Sequence, residues 1–189
     1  MTSEIRYSTI LIFAALAALL STPVAAQSST GSAHFGVVWG LSVPDADNTT
    51  PQQIYGVKGA AKLNPSISLG GYYLLSGPPE GSDGIDFEYS LHGLETSYHF
   101  PSGNGDTFVS LRYGLTKVKT EKLTENVIFS PYHYGISVGH DFFIGNYFSF
   151  GFEGAALTVN ESSTTKDSVD YTEDSLTIIM FMLNFQVRL

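Results

Sequence analysis

The chain has 189 residues, 14% of them charged and 13% aromatic, with 19 glycines, no cysteine and a formal net charge of -9. The missing cysteine excludes disulfide frameworks and thiolate-ligated zinc, and 9 Lys and Arg against 18 Asp and Glu exclude the clustered positive charge that nucleic acid requires. At 43% hydrophobic the chain is no disordered polyanion, yet its charge content falls well below the ~25% of an average soluble domain.

The amino terminus carries Arg6, offset by Glu4, then an unbroken apolar run over 10–20. Small residues at Val24 and Ala26 stand three and one positions before a cut ahead of Gln27. This order predicts a secretory signal peptide over 1–26 and a mature domain over 27–189. The run is too short, at ~1.5 Å per residue, to cross a ~30 Å hydrocarbon core as a helix. No later apolar run approaches the length of a membrane helix, the longest being 178–183. Strands are different, because a barrel strand needs only ~9–11 residues and alternates its faces.

Eight segments with a period of two follow. Over 34–43, Phe35, Val37, Trp39, Leu41 and Val43 oppose His34, Gly36, Val38, Gly40 and Ser42. Over 54–63, Tyr55, Val57, Ala61 and Leu63 oppose Gly56, Lys58, Ala60 and Lys62, and Asn64-Pro65-Ser66 signals a turn. Over 67–76, Ile67, Leu69, Tyr73 and Leu75 oppose Ser68, Gly70, Tyr72 and Ser76. The fourth segment, 85–100, begins with Ile85, Phe87, Tyr89 and Leu91 against Asp86, Glu88, Ser90 and His92. After Gly93 its apolar set shifts to Leu94, Thr96, Tyr98 and Phe100, which predicts a bulge near Gly93. The fifth sets Val109, Leu111, Tyr113 and Leu115 against Ser110, Arg112, Gly114 and Thr116. The sixth sets Tyr132, Tyr134, Ile136 and Val138 against His133, Gly135, Ser137, Gly139 and Asp141. The seventh sets Phe148, Phe150 and Phe152 against Ser149, Gly151 and Glu153. The last sets Ile179, Phe181, Leu183, Phe185, Val187 and Leu189 against Met180, Met182, Asn184, Gln186 and Arg188.

An even number of alternating strands predicts an all-β fold, an eight-stranded antiparallel up-and-down transmembrane β-barrel. A narrow eight-strand lumen has no room for the Phe and Tyr face, whereas lipid solvates it. Connections near 64–65, 101–106 and 143–146 are short, and those over 44–53, 77–84, 118–127 and 160–175 are mostly longer. Short turns at one end and long loops at the other are a membrane-barrel trait. A soluble periplasmic barrel is the rival fold.

On these segments the chain resembles the small eight-stranded outer-membrane barrels of the OmpX, OmpA-transmembrane-domain or opacity-protein type. The terminal alternation of Phe185, Val187 and Leu189 resembles the signal by which the barrel-assembly machinery recognises such chains. Here it ends on Leu189, where the family usually ends on an aromatic residue. The resemblance implies the cell outer membrane as location and its lipid and lipopolysaccharide as surroundings.

The lumen face is expected to hold Lys58, Lys62, Arg112 and Arg188 together with Asp86, Glu88, Asp141 and Glu153. Buried charges must pair, so a salt-bridge plug is expected, with Glu88 and Arg112 as neighbours on adjoining strands. The alternative use of these charges is a narrow path for ions or small solutes. The outer loops are acidic. Over 160–175, Glu161, Asp167, Asp170, Glu173 and Asp174 stand against Lys166 alone, and Asp45 and Asp47 lie in the first loop. Asp45 and Asp47 lack the Gly and terminal Glu of a calcium loop. The aromatic residues Trp39, Tyr55, Tyr73, Tyr98, Tyr113 and Tyr132 suit interfacial girdles.

A lipid-modifying enzyme is the third reading. His99 and Ser102 fall near a predicted turn, His133 and Ser137 share the lumen face, and His140 and Asp141 point oppositely. Neither G-x-S-x-G nor H-E-x-x-H occurs. No catalytic residue, cofactor or metal site is expected. The function expected is a structural or surface-interaction role, with an extracellular ligand the sequence does not name.

Overall fold

A computed structural model describes residues 33–45, 51–77, 87–122, 125–166 and 169–189. The segment 1–26, Asp47, Asp86 and Asp167 lie outside them. The strands are β1 (Ala33–Pro44), β2 (Gln52–Asn64), β3 (Ile67–Ser76), β4 (Phe87–Ser102), β5 (Gly105–Lys122), β6 (Glu125–Phe129), β7 (Tyr132–Ile144), β8 (Phe148–Val159), β9 (Ser162–Lys166), β10 (Val169–Glu173) and β11 (Leu176–Arg188). Neighbours in the wall run β4-β3-β2-β1-β11-β8-β7-β5, and a β4–β5 ladder closes the ring. Every pairing is antiparallel. The result is a closed eight-stranded up-and-down barrel with no free edge in its wall.

Local chemistry sets the short turns. Asn64 Oδ1 accepts the Ser66 backbone N–H at 2.9 Å, an Asx turn between β2 and β3. Gly103 (φ 56°) and Gly145 (φ 64°) occupy the left-handed region in the turns after β4 and β7, where a Cβ is penalised. Where the first and last strands meet, β1 pairs with β11 from His34↔Arg188 to Pro44↔Ile178. The Leu189 N–H then donates to the Ala33 carbonyl at 2.9 Å.

At the long-loop end the strands outrun the ring. β5 continues to Lys122 and β6 pairs with its extension, while β9 and β10 form a separate hairpin. The stretches 118–127 and 160–175, expected as loops, are therefore largely strand. Val118, Thr120, Val127, Ile128 and Phe129 are strand formers, and pairing satisfies their backbone groups above the wall.

The fourth segment departs from its sequence reading. Both ladders of β4 keep constant register through Gly93, from Phe87↔Thr120 to Ser102↔Gly105 and from Ile67↔Tyr98 to Leu75↔Ser90. There is no bulge. Odd positions point inward throughout, so Tyr89 and Leu91 enter the lumen and Glu88, Ser90 and His92 face out. The apolar set changes sides because the lumen changes character with height.

Candidate functional site

The lumen is filled in two tiers. Its long-loop half is apolar, built from Ile54, Leu74, Leu91, Leu157, Ile178 and Met180, all essentially inaccessible. Its short-turn half is polar and charged. Sequence patterning treats the inward face as uniformly small and polar, and that expectation fails for the upper tier. An eight-strand bore is just wide enough for side chains, so either chemistry can fill it. Glycine at inward positions makes the narrow bore possible. A Cβ on Gly40 would stand 2.0 Å from the Phe181 carbonyl oxygen.

The four charges of the centre come from four strands, β2, β4, β5 and β8. Glu95 on β4 and Arg112 on β5 are direct cross-strand partners. Arg112 Nε and Nη2 donate to Glu95 Oε2 at 3.0 and 2.9 Å, and Nη2 also donates to Glu153 Oε1 at 2.6 Å. Lys58 Nζ from β2 donates to Glu153 Oε2 at 2.9 Å and lies 3.8 Å from Glu95 Oε1. Asn184 Nδ2 from β11 adds a contact to Glu153 Oε2 at 3.4 Å. Two cations and two anions thus cancel in a dry environment, where isolated charges are very costly. Tyr72 roofs this layer. Its ring stands 4.8 Å from the Arg112 guanidinium carbon, and its hydroxyl bonds His133 Nε2. His133 Nδ1 in turn bonds Thr116 Oγ1 at 2.8 Å, which completes the boundary with the apolar tier.

A second polar cluster lies at the short-turn mouth. Lys62 Nζ meets Asp106 Oδ2 at 2.9 Å, and His99 Nδ1 lies 3.0 Å from the same oxygen. Ser68 Oγ bonds His99 Nε2 at 2.8 Å. Asp141 stands opposite Asp106 across the β5–β7 ladder, and the Arg188 guanidinium stacks 3.7 Å from the Phe143 ring centre. Asp106, Asp141 and Arg188 line a cavity of about 20 Å³.

The sequence-derived residues therefore separate. Lys58, Arg112 and Glu153 meet in the charged centre, while Lys62, Asp141 and Arg188 sit in the mouth cluster. Glu88 joins neither. It faces out, 3.7 Å from Lys119 Nζ, with both side chains about half exposed. The expected Glu88–Arg112 pair is replaced by Glu95–Arg112, because one unbroken phase along β4 turns Glu88 out and Glu95 in. Neither Glu95 nor Asp106 stands among the lumen charges expected from the sequence, and Asn184 is placed inward there without a partner. Their signal is parity within a strand: Glu95 shares the inward count of Ser97 and His99, Asp106 that of Arg112, and Asn184 that of Gln186.

Ser68, His99 and Asp106 reproduce the order hydroxyl, imidazole, carboxylate found in acyl-transfer triads. Residue spacing does not reveal this order, since the three come from three strands. Ser68 is only 1% exposed and does not line the neighbouring cavity, so an acyl group has no approach to its Oγ. The arrangement is a hydrogen-bonded brace across β3, β4 and β5. Accordingly, a fluorophosphonate probe is expected to leave the folded barrel unlabelled, and labelling abolished by Ser68→Ala would overturn that reading.

The outer wall is the reverse of the lumen. Trp39, Tyr73, Leu94, Leu111, Tyr134 and Phe185 are among the many large apolar side chains turned outward and exposed. A continuous belt of this kind is unstable against water and matches the lipid-facing band of a membrane barrel. Phe185, Val187 and Leu189 lie on this outward face. Tyr113 and Tyr132 stack with centroids 6.0 Å apart and planes 16° from parallel.

No family model matches the sequence, and no curated protein sequence matches it. Solved structures do match. Neisserial surface protein A superposes with a TM-score of 0.69 at 8% identity, over 84% of this chain and 97% of its own. Ail, the attachment invasion locus protein of Yersinia pestis, gives 0.57 at 14% identity, over 84% and 99%. The N-terminal β-barrel domain of Pseudomonas aeruginosa OprF gives 0.52 at 12% identity, over 83% and 99%. With its closed ring, polar inner mouth and apolar outer belt, the chain has the fold of the small eight-stranded outer-membrane β-barrels.

Proposed function

We propose that this protein is a closed, non-conducting barrel of the cell outer membrane that holds its long-loop end outside the cell for surface interaction. Its lumen filling supports this most directly. A solute entering from either end meets the apolar tier or the paired charges of Lys58, Glu95, Arg112 and Glu153. The neighbouring folds include proteins described as a surface protein and an attachment invasion locus protein. The segment 1–26 would direct export, and Phe185, Val187 and Leu189 would present the chain to the barrel-assembly machinery. Lipopolysaccharide and outer-membrane lipid would surround the belt.

The partner chemistry differs from that of one neighbour. Ail has been solved with the heparin analogue sucrose octasulfate. Here the connections over 44–53 and 160–175 carry Asp45, Asp47, Glu161, Asp167, Asp170, Glu173 and Asp174 against Lys166 alone, so these two loops disfavour a sulfated polyanion. A cationic surface, or one bridged by divalent cations, is the better complement. No catalytic role is assigned.

The test is planar-bilayer recording of the purified, folded chain. Conductance at background is expected. Stable unitary currents that change with Glu153→Ala would favour the alternative reading, a narrow channel for ions or small solutes.

A further inference from the structure

The sequence has nine Lys and Arg residues, and the fold distributes them unevenly. Lys58, Lys62, Arg112 and Arg188 turn into the lumen. Among the described side chains on the outer wall, Lys117 and Lys119 are the only Lys or Arg, and both lie on β5. Outward positions on this strand read Val109, Leu111, Tyr113 and Leu115, then Lys117 and Lys119. Along β5 the apolar positions thus end at Leu115 and positive charge begins at the next outward position, with the exposed Ile128 of β6 beside Lys119. At ~3.4 Å per residue, Lys117 stands about 7 Å along the strand beyond Leu115 and Lys119 about 14 Å.

We propose that Lys117 and Lys119 form a one-sided binding site for the phosphate groups of outer-leaflet lipid A. The proposal rests on the outer-membrane reading above. Three features carry it. First, the stacked Tyr113 and Tyr132 lie just below, and paired amphipathic rings mark the level where hydrocarbon gives way to headgroups. Second, the partner facing Lys117 across the ladder is Ser90, a hydroxyl rather than a carboxylate. Third, the one carboxylate that meets either lysine among the described side chains, Glu88, lies 3.7 Å from Lys119 with both groups half exposed. A pair this open holds weakly and leaves ammonium protons for a stronger anion. Lysine suits the role: a long apolar stem lies over the belt while a compact charge reaches the headgroup plane. The remaining outer wall offers no second Lys or Arg among its described side chains, so the bound lipid sits at one azimuth, against β4 and β5.

The experiment uses the full folded chain in detergent, with native mass spectrometry after adding lipid A carrying both phosphates, lipid A carrying one, or phosphatidylethanolamine. Wild type is expected to retain the bisphosphorylated lipid most strongly. The double charge reversal Lys117→Glu/Lys119→Glu should lower retention by about tenfold or more, and the Lys117→Arg/Lys119→Arg pair should keep it. Lys117→Gln/Lys119→Gln serves if charge reversal blocks folding, which heat-modifiable gel migration reports. Equal retention by the charge-reversed or Gln variant, or equal retention of lipids whatever their phosphate count, would overturn the site. Cell fractionation separately tests the location. A chain that fractionates with the outer membrane yet shows no phosphate preference defeats the site alone, and a chain found elsewhere defeats the location.

Discussion

Replacing Glu153 with alanine is expected to cost about 3–5 kcal/mol of stability, the range for removing one partner of a buried ion pair. Glu153 has no solvent exposure at its side chain and accepts from both Lys58 and Arg112. Alanine leaves two buried cations to share Glu95. Converting Lys58, Glu95, Arg112 and Glu153 together to apolar residues of similar volume should restore most of the loss, because the desolvation cost disappears with the charges. Urea titration of the refolded barrel would read both, as midpoint shifts at unchanged slope. A Glu153→Ala loss below about 1 kcal/mol would show that water enters this layer and screens it. By contrast, Glu88→Ala should change little, since its partner Lys119 is half exposed.

Leu91→Ala should cost about 2–5 kcal/mol, as expected for a large-to-small change in a packed core. Leu91 is fully buried in the upper tier with Leu74, Leu157 and Ile178. The adjacent His92→Ala should fall within about 1 kcal/mol, because its ring lies on the outer face near Tyr73. The contrast separates two registers of β4. A bulge at Gly93 would place Leu91 toward lipid and Glu88 inside, and would give the opposite ranking. The same thermal or urea unfolding series decides it, provided each variant reaches the folded form on a heat-modifiable gel.

Much of the barrel is legible because alternation is local. Phe35 to Val43 on β1 and Phe148 to Phe152 on β8 declare an apolar face without knowing their neighbours, and Gly103 and Gly145 mark turns by their own backbone freedom. Hairpin partners are nearly as accessible. Once the turn at 103–104 fixes the β4–β5 register, Glu95 must face Arg112, only 17 residues away. On β4 alternation alone equates inward with polar, which holds for Ser97 and His99 but fails for Tyr89 and Leu91. The three-strand chain of Ser68, His99 and Asp106 was invisible for a different reason, as its members become neighbours only when β3, β4 and β5 are aligned.

The number of wall strands, the short-turn end, the lipid-facing residues outside the first half of β4 and the need for paired charges inside are legible in the chain alone, since each follows from periodicity, turn chemistry or the cost of an unpaired buried charge. Which charges pair follows from the closed ring alone. The Lys58–Glu153 contact spans 95 residues of chain and depends on closure through β1, β11 and β8. The ring also decides that the upper lumen is apolar, because height along the barrel axis is set by register around the whole ring rather than by any one strand.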